Sequence, residues 1–402
     1  MIKKLLLIGM CMIIICMCGC KAGKGDTSQN VISYAEEFVV GQDSSYMFQK
    51  DNNGSLMTKT EVGYYFRLGN SLYYADRELT AVLPLCSKIT CEHIGQDDCE
   101  AYIGNAMAFS NIQYYKGRLY TDSVNKLSDT SELYTDEKGD GIYAKLYEIS
   151  GDAKKKNELD ILKVTGVSPI IHRGYAYCYY MESVEKIIDG KTKNVKYGVL
   201  SRTNMETGEE ERFIDCSTEV ITDKSWIQEI YAYRNYVYFV TSSGELYIYD
   251  IMNESFEKVD NLKDIRFWFM DDKIIYRHGS GESEEKRKVF IAKLDFSEPQ
   301  YAFSLDNERY VVGSDNKYIY ADNRFKAFSE KTDRIIYYYD KNTYELLGEI
   351  NLGTGTGLER YGYGDENYYF YIENGEDGSR LMCVVKASLA TGNIEKRVLL
   401  EW

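Results

Sequence analysis

Residues 230–259 read IYAYRNYVYFVTSSGELYIYDIMNESFEKV. Apolar or aromatic residues stand at alternate positions in four short runs. Tyr231 and Tyr233 mark the first, Tyr236, Tyr238 and Val240 the second, Leu246, Ile248 and Asp250 the third, Phe256 and Val259 the fourth. Arg234-Asn235, Ser242-Ser243-Gly244 and Asn253-Glu254 separate them as turn residues. Alternation of period two, broken by Asn, Gly and Ser, predicts a four-stranded antiparallel meander.

Outward from this stretch the unit recurs. Its second run carries a central pair at Tyr64-Tyr65, Leu119-Tyr120, Ala176-Tyr177, Val237-Tyr238, Ile274-Ile275, Tyr318-Ile319 and Tyr368-Tyr369. Successive pairs lie 55, 57, 61, 37, 44 and 50 residues apart. A turn residue stands just before most of them: Gly117, Gly174, Asn235, Asp272, Asn316 and Glu366. The third and fourth runs recur at 289–305, 335–351 and 382–400. Four-stranded units at this period predict an all-β fold, a β-propeller. One meander cannot bury both of its faces, whereas radial stacking of neighbours does. Seven antiparallel blades are expected in a single domain over residues 31–402. Six and eight are the neighbouring counts, because the first two units are the least regular. Residues 30–39 are expected as a short helix or as an extra outer strand closing the ring beside 392–402.

Composition agrees. Tyr numbers 38, Pro 3, and aromatics make up 14%. Tyr packs well on a pleated sheet, and Pro removes ladder donors. The formal charge is −15, and loss of Lys3 and Lys4 would take it to −17. So acidic a surface repels nucleic acid, and no nucleic-acid partner is expected.

The chain begins MIKKLLLIGMCMIIICMCGC. Lys3 and Lys4 precede a short apolar run, then small and thiol residues. This is the order of a secretory signal, too short for a comfortable membrane span. Gly19-Cys20 resembles the end of a bacterial lipobox. That implies a signal peptide at residues 1–19, lipidation of Cys20, and a polar tether over 20–30. Two acyl chains give stable anchoring where one gives only marginal binding. The expected location is the outer side of the cell membrane.

Strands of a meander alternate direction, so the connections sort onto two faces. With strands A to D counted from the axis outward, B–C and D–A connections share one face, and A–B and C–D turns the other. The long segments are all of the first kind: 84–108, 122–142, 182–196, 217–225, 278–288 and 353–359. Long loops carry function more often than the scaffold does. His278, Gly353, Gly355 and Gly357 are the candidate binding-face residues there, and His172 falls by an A–B turn on the opposite face.

The sharpest motif is LCSKITCEHIGQDDCEAY at 85–102. Cys86, Cys91, His93 and Cys99 form a Cys-x4-Cys-x-His-x5-Cys cluster. Three thiols and an imidazole suit tetrahedral zinc, and four protein ligands leave no open position for catalysis. Exported cysteines also pair as disulfides, so metal and disulfide both remain open, with idle thiols as the third reading. This stretch, following a Tyr-rich hairpin and a lipobox, resembles a group of propeller lipoproteins of unknown function from Gram-positive anaerobes. The resemblance implies an anchored extracellular propeller and supplies no reaction.

Other motifs are incomplete. The glycine-rich stretch at 353–358 precedes no helix N-terminus that would complete a phosphate cradle. Residues 136–147 lack the acidic twelfth position of a calcium loop. Three histidines without G-x-S-x-G offer no hydrolase triad. Cys178, Cys216 and Cys383 stand alone, as small apolar residues would. The expected function is non-catalytic binding of a protein, peptide or glycan. A glycan-active enzyme with carboxylates converging at the axial mouth, and a structural or sensor role in the envelope, are the alternatives. Carboxylates about 5–10 Å apart in one deep pocket would mark the enzyme.

Overall fold

The computed structural model describes residues 39–44, 56–93, 99–104, 111–123, 145–159, 167–214, 226–279, 283–306, 309–323, 330, 332–353, 363–375 and 378–402. They belong to one compact unit, Tyr34–Trp402. Among the described residues 28 strands, β1–β28 in chain order, form seven four-stranded antiparallel sheets. Each sheet is a run of four consecutive strands. The blades span residues 57–84, 112–159, 170–214, 227–263, 265–304, 310–353 and 363–401. The fold is a seven-bladed β-propeller.

The opening stretch becomes blade 4: β13 (Ile227–Tyr233), β14 (Tyr236–Thr241), β15 (Glu245–Asp250) and β16 (Ser255–Lys263). Its alternation has a direct structural use. Val237 and Phe239 of β14 face blade 3, packing with Tyr177, Tyr179 and Leu200. Tyr238 and Val240 face blade 5, packing with Phe267, Phe269 and Ile274. Successive side chains of a strand point to opposite faces, so both faces of the sheet are apolar and both need a neighbour. Tyr238 is fully buried and still donates its hydroxyl to the Leu294 carbonyl at 2.9 Å.

The inner A–B turns use two chemistries. In blades 2 to 5 a two-residue turn opens on a residue with positive φ: Lys116 (44°), Arg173 (47°), Arg234 (52°) and Asp271 (53°). Such turns match the twist of a hairpin. In blades 1, 6 and 7 an oxygen caps the turn instead. Thr60 Oγ1 accepts from Val62 and Gly63, Asp315 Oδ1 from Lys317 and Tyr318, and Asp365 Oδ1 from Asn367 and Tyr368.

Side chains close the ring between blades 7 and 1. Tyr64 and Phe66 of β2 (Gly63–Leu68) lie 5.3 and 5.9 Å, centroid to centroid, from Phe370 of β26 (Tyr368–Gly375). Tyr64 donates to Asp365 at 2.5 Å, and Lys59 pairs with Asp365 at 2.8 Å. No strand crosses this seam among the described residues. The outer strand of blade 7 is β28 (Lys396–Glu401), which follows β27 (Gly378–Val385) after a 3-10 segment at Lys386–Thr391 and pairs with it. Of the expected short helix or outer strand at 30–39 only Val39 is among the described residues, and there it opens a turn, its carbonyl accepting from Gln42 and Asp43. Residues 30–38 fall outside the described residues.

Hydrogen bonds between connections confirm the two faces. On one, the A–B and C–D turns meet: Met205 donates to Gly174 O, Ile251 to Asn235 O, Lys341 to Lys317 O. On the other, Ile103 donates to Asn70 O and Ser242 to Trp226 O. Between blades 4 and 5 the connection is Asp264 alone, which bonds Gly244 O and receives Gly279 N–H. Gly244 must lack a side chain here, since a Cβ would sit 2.8 Å from Asp264 N.

One expected loop is a strand pair. Residues 182–196 continue β10 (Tyr175–Ile188) and β11 (Lys191–Asn204) as an unbroken hairpin. The turn is Asp189-Gly190, with φ of 55° and 71°, a strong hairpin signal. Beyond Glu182 and Tyr197 these strands pair only with each other. The seven residues Glu182–Ile188 make an arm about 24 Å long. Residues 278–288 hold a single helical turn, α1 (Glu284–Arg287).

Candidate functional site

The Cys loop leaves β4 (Val82–Pro84) and is stapled at both ends to β3 (Ser71–Asp76). Leu85 donates to Leu72 O, Leu72 to Ala101 O, and Ile103 to Asn70 O, each at 2.9 Å. Leu85 and Ile103 sink between blades 1 and 2 with Tyr65, Leu72, Ile112 and Leu119. These contacts exist without the cysteines. Between the staples the chain turns back on itself. Cys91 donates to Lys88 O, Tyr102 to Cys99 O, and Ser87 to the Glu100 carboxylate. His93 has a φ of 56°, a left-handed conformation uncommon outside Gly, Asn, Asp and His.

This path brings together the four residues singled out from sequence. The thiols of Cys86, Cys91 and Cys99 and a ring nitrogen of His93 all lie within 4.8 Å of one another. Cys99 Sγ is 3.7 Å from His93 Nδ1, and the three thiols are free. Ligands about 2.0–2.3 Å from a tetrahedral ion stand roughly 3.4–3.8 Å apart. The donor set and the spacing fit such an ion. At Cys86 partial burial opposes ionisation, but the Lys88 and Glu100 amides and the Cys91 and Cys99 thiols outweigh it, so this thiol lies below its ordinary value. Burial pushes Cys99 up to about 11, with the Cys91 thiol adding and the Ala101 amide opposing. Backbone N–H groups thus aim at two of the three sulfurs.

Of the remaining candidates, His278 and Gly353 do not join this cluster. His278 ends β18 (Lys273–His278) and packs edge-on to Phe290 and Tyr276, at 5.7 and 5.9 Å. Gly353 ends β24 (Leu346–Gly353), its N–H bonded to Asn351. Gly355, Gly357 and Cys20 lie outside the described residues. Cys178 and Cys383 are buried in apolar clusters, and burial pushes Cys383 up to about 12.

Buried carboxylates bear on catalysis. Among the described residues they are Asp43, Asp122, Glu229, Asp315, Asp322 and Asp365. Each faces a cation: Arg173, Arg67, Arg266, Lys386, Arg334 and Lys59, respectively. Ion pairs of this kind position strands, although at Asp122 burial outweighs Arg67 and pushes the carboxyl up.

Sequence reading missed a second cluster, on the A–B turn face. Residues 39–44 lie across the inner turns of blades 2 and 3. Lys116 donates to Gly41 O and Arg173 to Gln42 O, both at 2.7 Å. The Asp43 carboxylate grips Arg173 at two points, 2.7 and 3.0 Å, with both side chains about 1% exposed. Arg173 also donates to Asn235. Ser44 N–H donates to His172 Nδ1 at 3.0 Å, and His172 Nε2 lies 2.7 Å from Arg234 O. No motif announces this: Asp43 and Arg173 stand 130 residues apart.

No protein-family model and no curated protein matches the chain. A solved chain from a structural and mechanistic analysis of two prolyl endopeptidases is similar in fold, with a TM-score of 0.53 at 10% identity. The match covers 86% of this chain and 48% of that one, so the chain spans about half its length. Likeness at this identity concerns the propeller alone.

Proposed function

We propose that this chain is an extracellular propeller lipoprotein, anchored through Cys20, that binds a protein, peptide or glycan partner without catalysis. Its Cys loop is a structural zinc site on the B–C and D–A face. The convergence of Cys86, Cys91, His93 and Cys99 within 4.8 Å carries this reading. Three thiolates and one imidazole would hold the ion, and four protein ligands leave it no open position. When bound, the ion pins the loop and contributes folding energy; it supplies no nucleophile.

Metal analysis with thiol titration tests the site on chain purified from its membrane. One zinc per chain, with the three loop thiols protected until a chelator is added, is expected. Metal-free protein with three reactive thiols, or with a disulfide in the loop, defeats it. Globomycin should abolish the lipidated Cys20 species. Crosslinking capture on the native cell surface then addresses the partner.

A further inference from the structure

We infer that the A–B turn face is the membrane-facing side of the propeller, and that the Cys loop and the β10–β11 arm are presented outward to the partner. The inference rests on anchoring at Cys20 and deepens it by fixing which face meets the partner.

The observation is the clasp at residues 39–44. Asp43 and Ser44 are buried, and the Asp43–Arg173 pair is about 1% exposed on both sides. Lys116 of blade 2 and His172 and Arg173 of blade 3 hold this short segment, and Asn235 of blade 4 braces Arg173. A surface segment touching by chance would not bury an ion pair, because desolvating two charges is repaid only by close, well-bonded geometry. The folded domain is therefore gripped by its N-terminal lead at the A–B turns.

Chain length turns this into a direction. Cys20 to Phe38 is 19 residues. A chain of that length spans about 65 Å at full extension and roughly 24 Å as a random coil. Placing the opposite face against the bilayer would take the lead about 14 Å outward across four strands and about 20 Å up a blade. It would then have to clear the arm, a further ~24 Å. The total approaches full extension, and an extended lead loses nearly all its conformational freedom. Facing the A–B turns to the bilayer needs none of this. The face then left outward carries Ile89, fully exposed on the Cys loop, and Ile187 near the arm tip, 78% exposed.

The test uses the full chain in its own membrane. A short epitope is inserted at the arm tip, between Asp189 and Gly190, or on the A–B turn face, between Asn342 and Thr343, which lie on an exposed C–D turn. Antibody binding on protoplasts is divided by binding in detergent. The arm epitope should give a ratio near one, and the turn epitope should be masked several-fold. A Gly/Ser insert of about twenty residues after Lys21 lengthens the lead without touching the propeller and should relieve the masking. Equal ratios for both epitopes in membrane-bound protein, or masking of the arm instead, overturn the orientation. Chain recovered soluble, with no globomycin-sensitive species, overturns the anchoring and removes the premise of the orientation.

Discussion

At His172 a backbone donor fixes the state of a side chain. Ser44 N–H points at Nδ1, so that nitrogen must be unprotonated and the ring proton sits on Nε2, donated to Arg234 O. Burial holds the group below its ordinary value of 6.5, with Asp43 opposing and Arg173 assisting. The unfolded chain therefore takes up the proton first as pH falls, and the native state only lower. Stability from the neutral ring is complete above 6.5 and is lost as pH drops below it, by at most about 1.4 kcal/mol per pH unit. Urea unfolding at pH 7.5 and 5.5 checks this. His172→Asn keeps an acceptor for Ser44 and does not titrate, so it should lose less stability over that interval than the parent chain. An equal loss would place the pH dependence elsewhere. Sequence located His172 correctly on the A–B turn face but gave no sign of its partner, which reaches it from 128 residues away. Spacing along a chain reports local structure and is blind to such contacts.

Elements were legible where the pattern was local. All seven aligned pairs fall on the second strand of their blades, because the alternation is dictated by burial on both faces. The Cys loop was legible as a cluster because its four residues lie within fourteen positions. The arm was misread as a loop because its exposed strands have no face to bury, and without burial the alternation fades. That exposure yields a prediction. Removing residues 184–187 and 192–195 shortens both strands by an even number, preserving side-chain orientation and the Asp189-Gly190 turn. Stability should fall by no more than about 1 kcal/mol, because the deleted stretches pair as strands only with each other and the Lys186 ammonium over the Tyr197 ring is the contact given up. Thermal unfolding reads this, and a large loss would mean the arm belongs to the core. The Cys loop should behave differently. Its staples at Leu85 and Ile103 are independent of the ligands, so chelation with reductant should leave the strand signal in circular dichroism intact. Proteolysis should then begin near Ile89. Restoring zinc to a hundred times its Kd should raise stability by about 2.7 kcal/mol. Cleavage unaffected by chelation would show that the metal does not pin the loop.

Over the whole molecule, seven similar sheets meet at seven interfaces, and the one between blades 7 and 1 is the only one not spanned by a D–A connection. Many closed rings need a shared strand at such a seam; here Tyr64, Phe66, Phe370, Leu381 and Cys383 bury one another and Lys59 pairs with Asp365. The seam is thus packed as the others are, and the position of the break in the chain should be arbitrary. β28 ends and β1 (Met57–Lys59) begins on the same B–C and D–A face, because every D strand runs toward that face and every A strand leaves it. A short polar linker from Trp402 to Leu56 would therefore copy an ordinary D–A connection, of which the shortest is one residue, Asp264. New termini opened within residues 215–225 would fall in another such connection. This permutant, lacking residues 1–55, should fold to the same strand-rich spectrum and unfold in one cooperative step. Its stability should be lower by the contribution of the clasp at residues 39–44, which it lacks. In contrast, Phe370→Ala in the parent chain should cost about 3–5 kcal/mol, the penalty for emptying a packed aromatic site. A permutant that fails to fold while Phe370→Ala is tolerated would mean that the N-terminal lead, and not side-chain packing between blades 7 and 1, holds the ring closed.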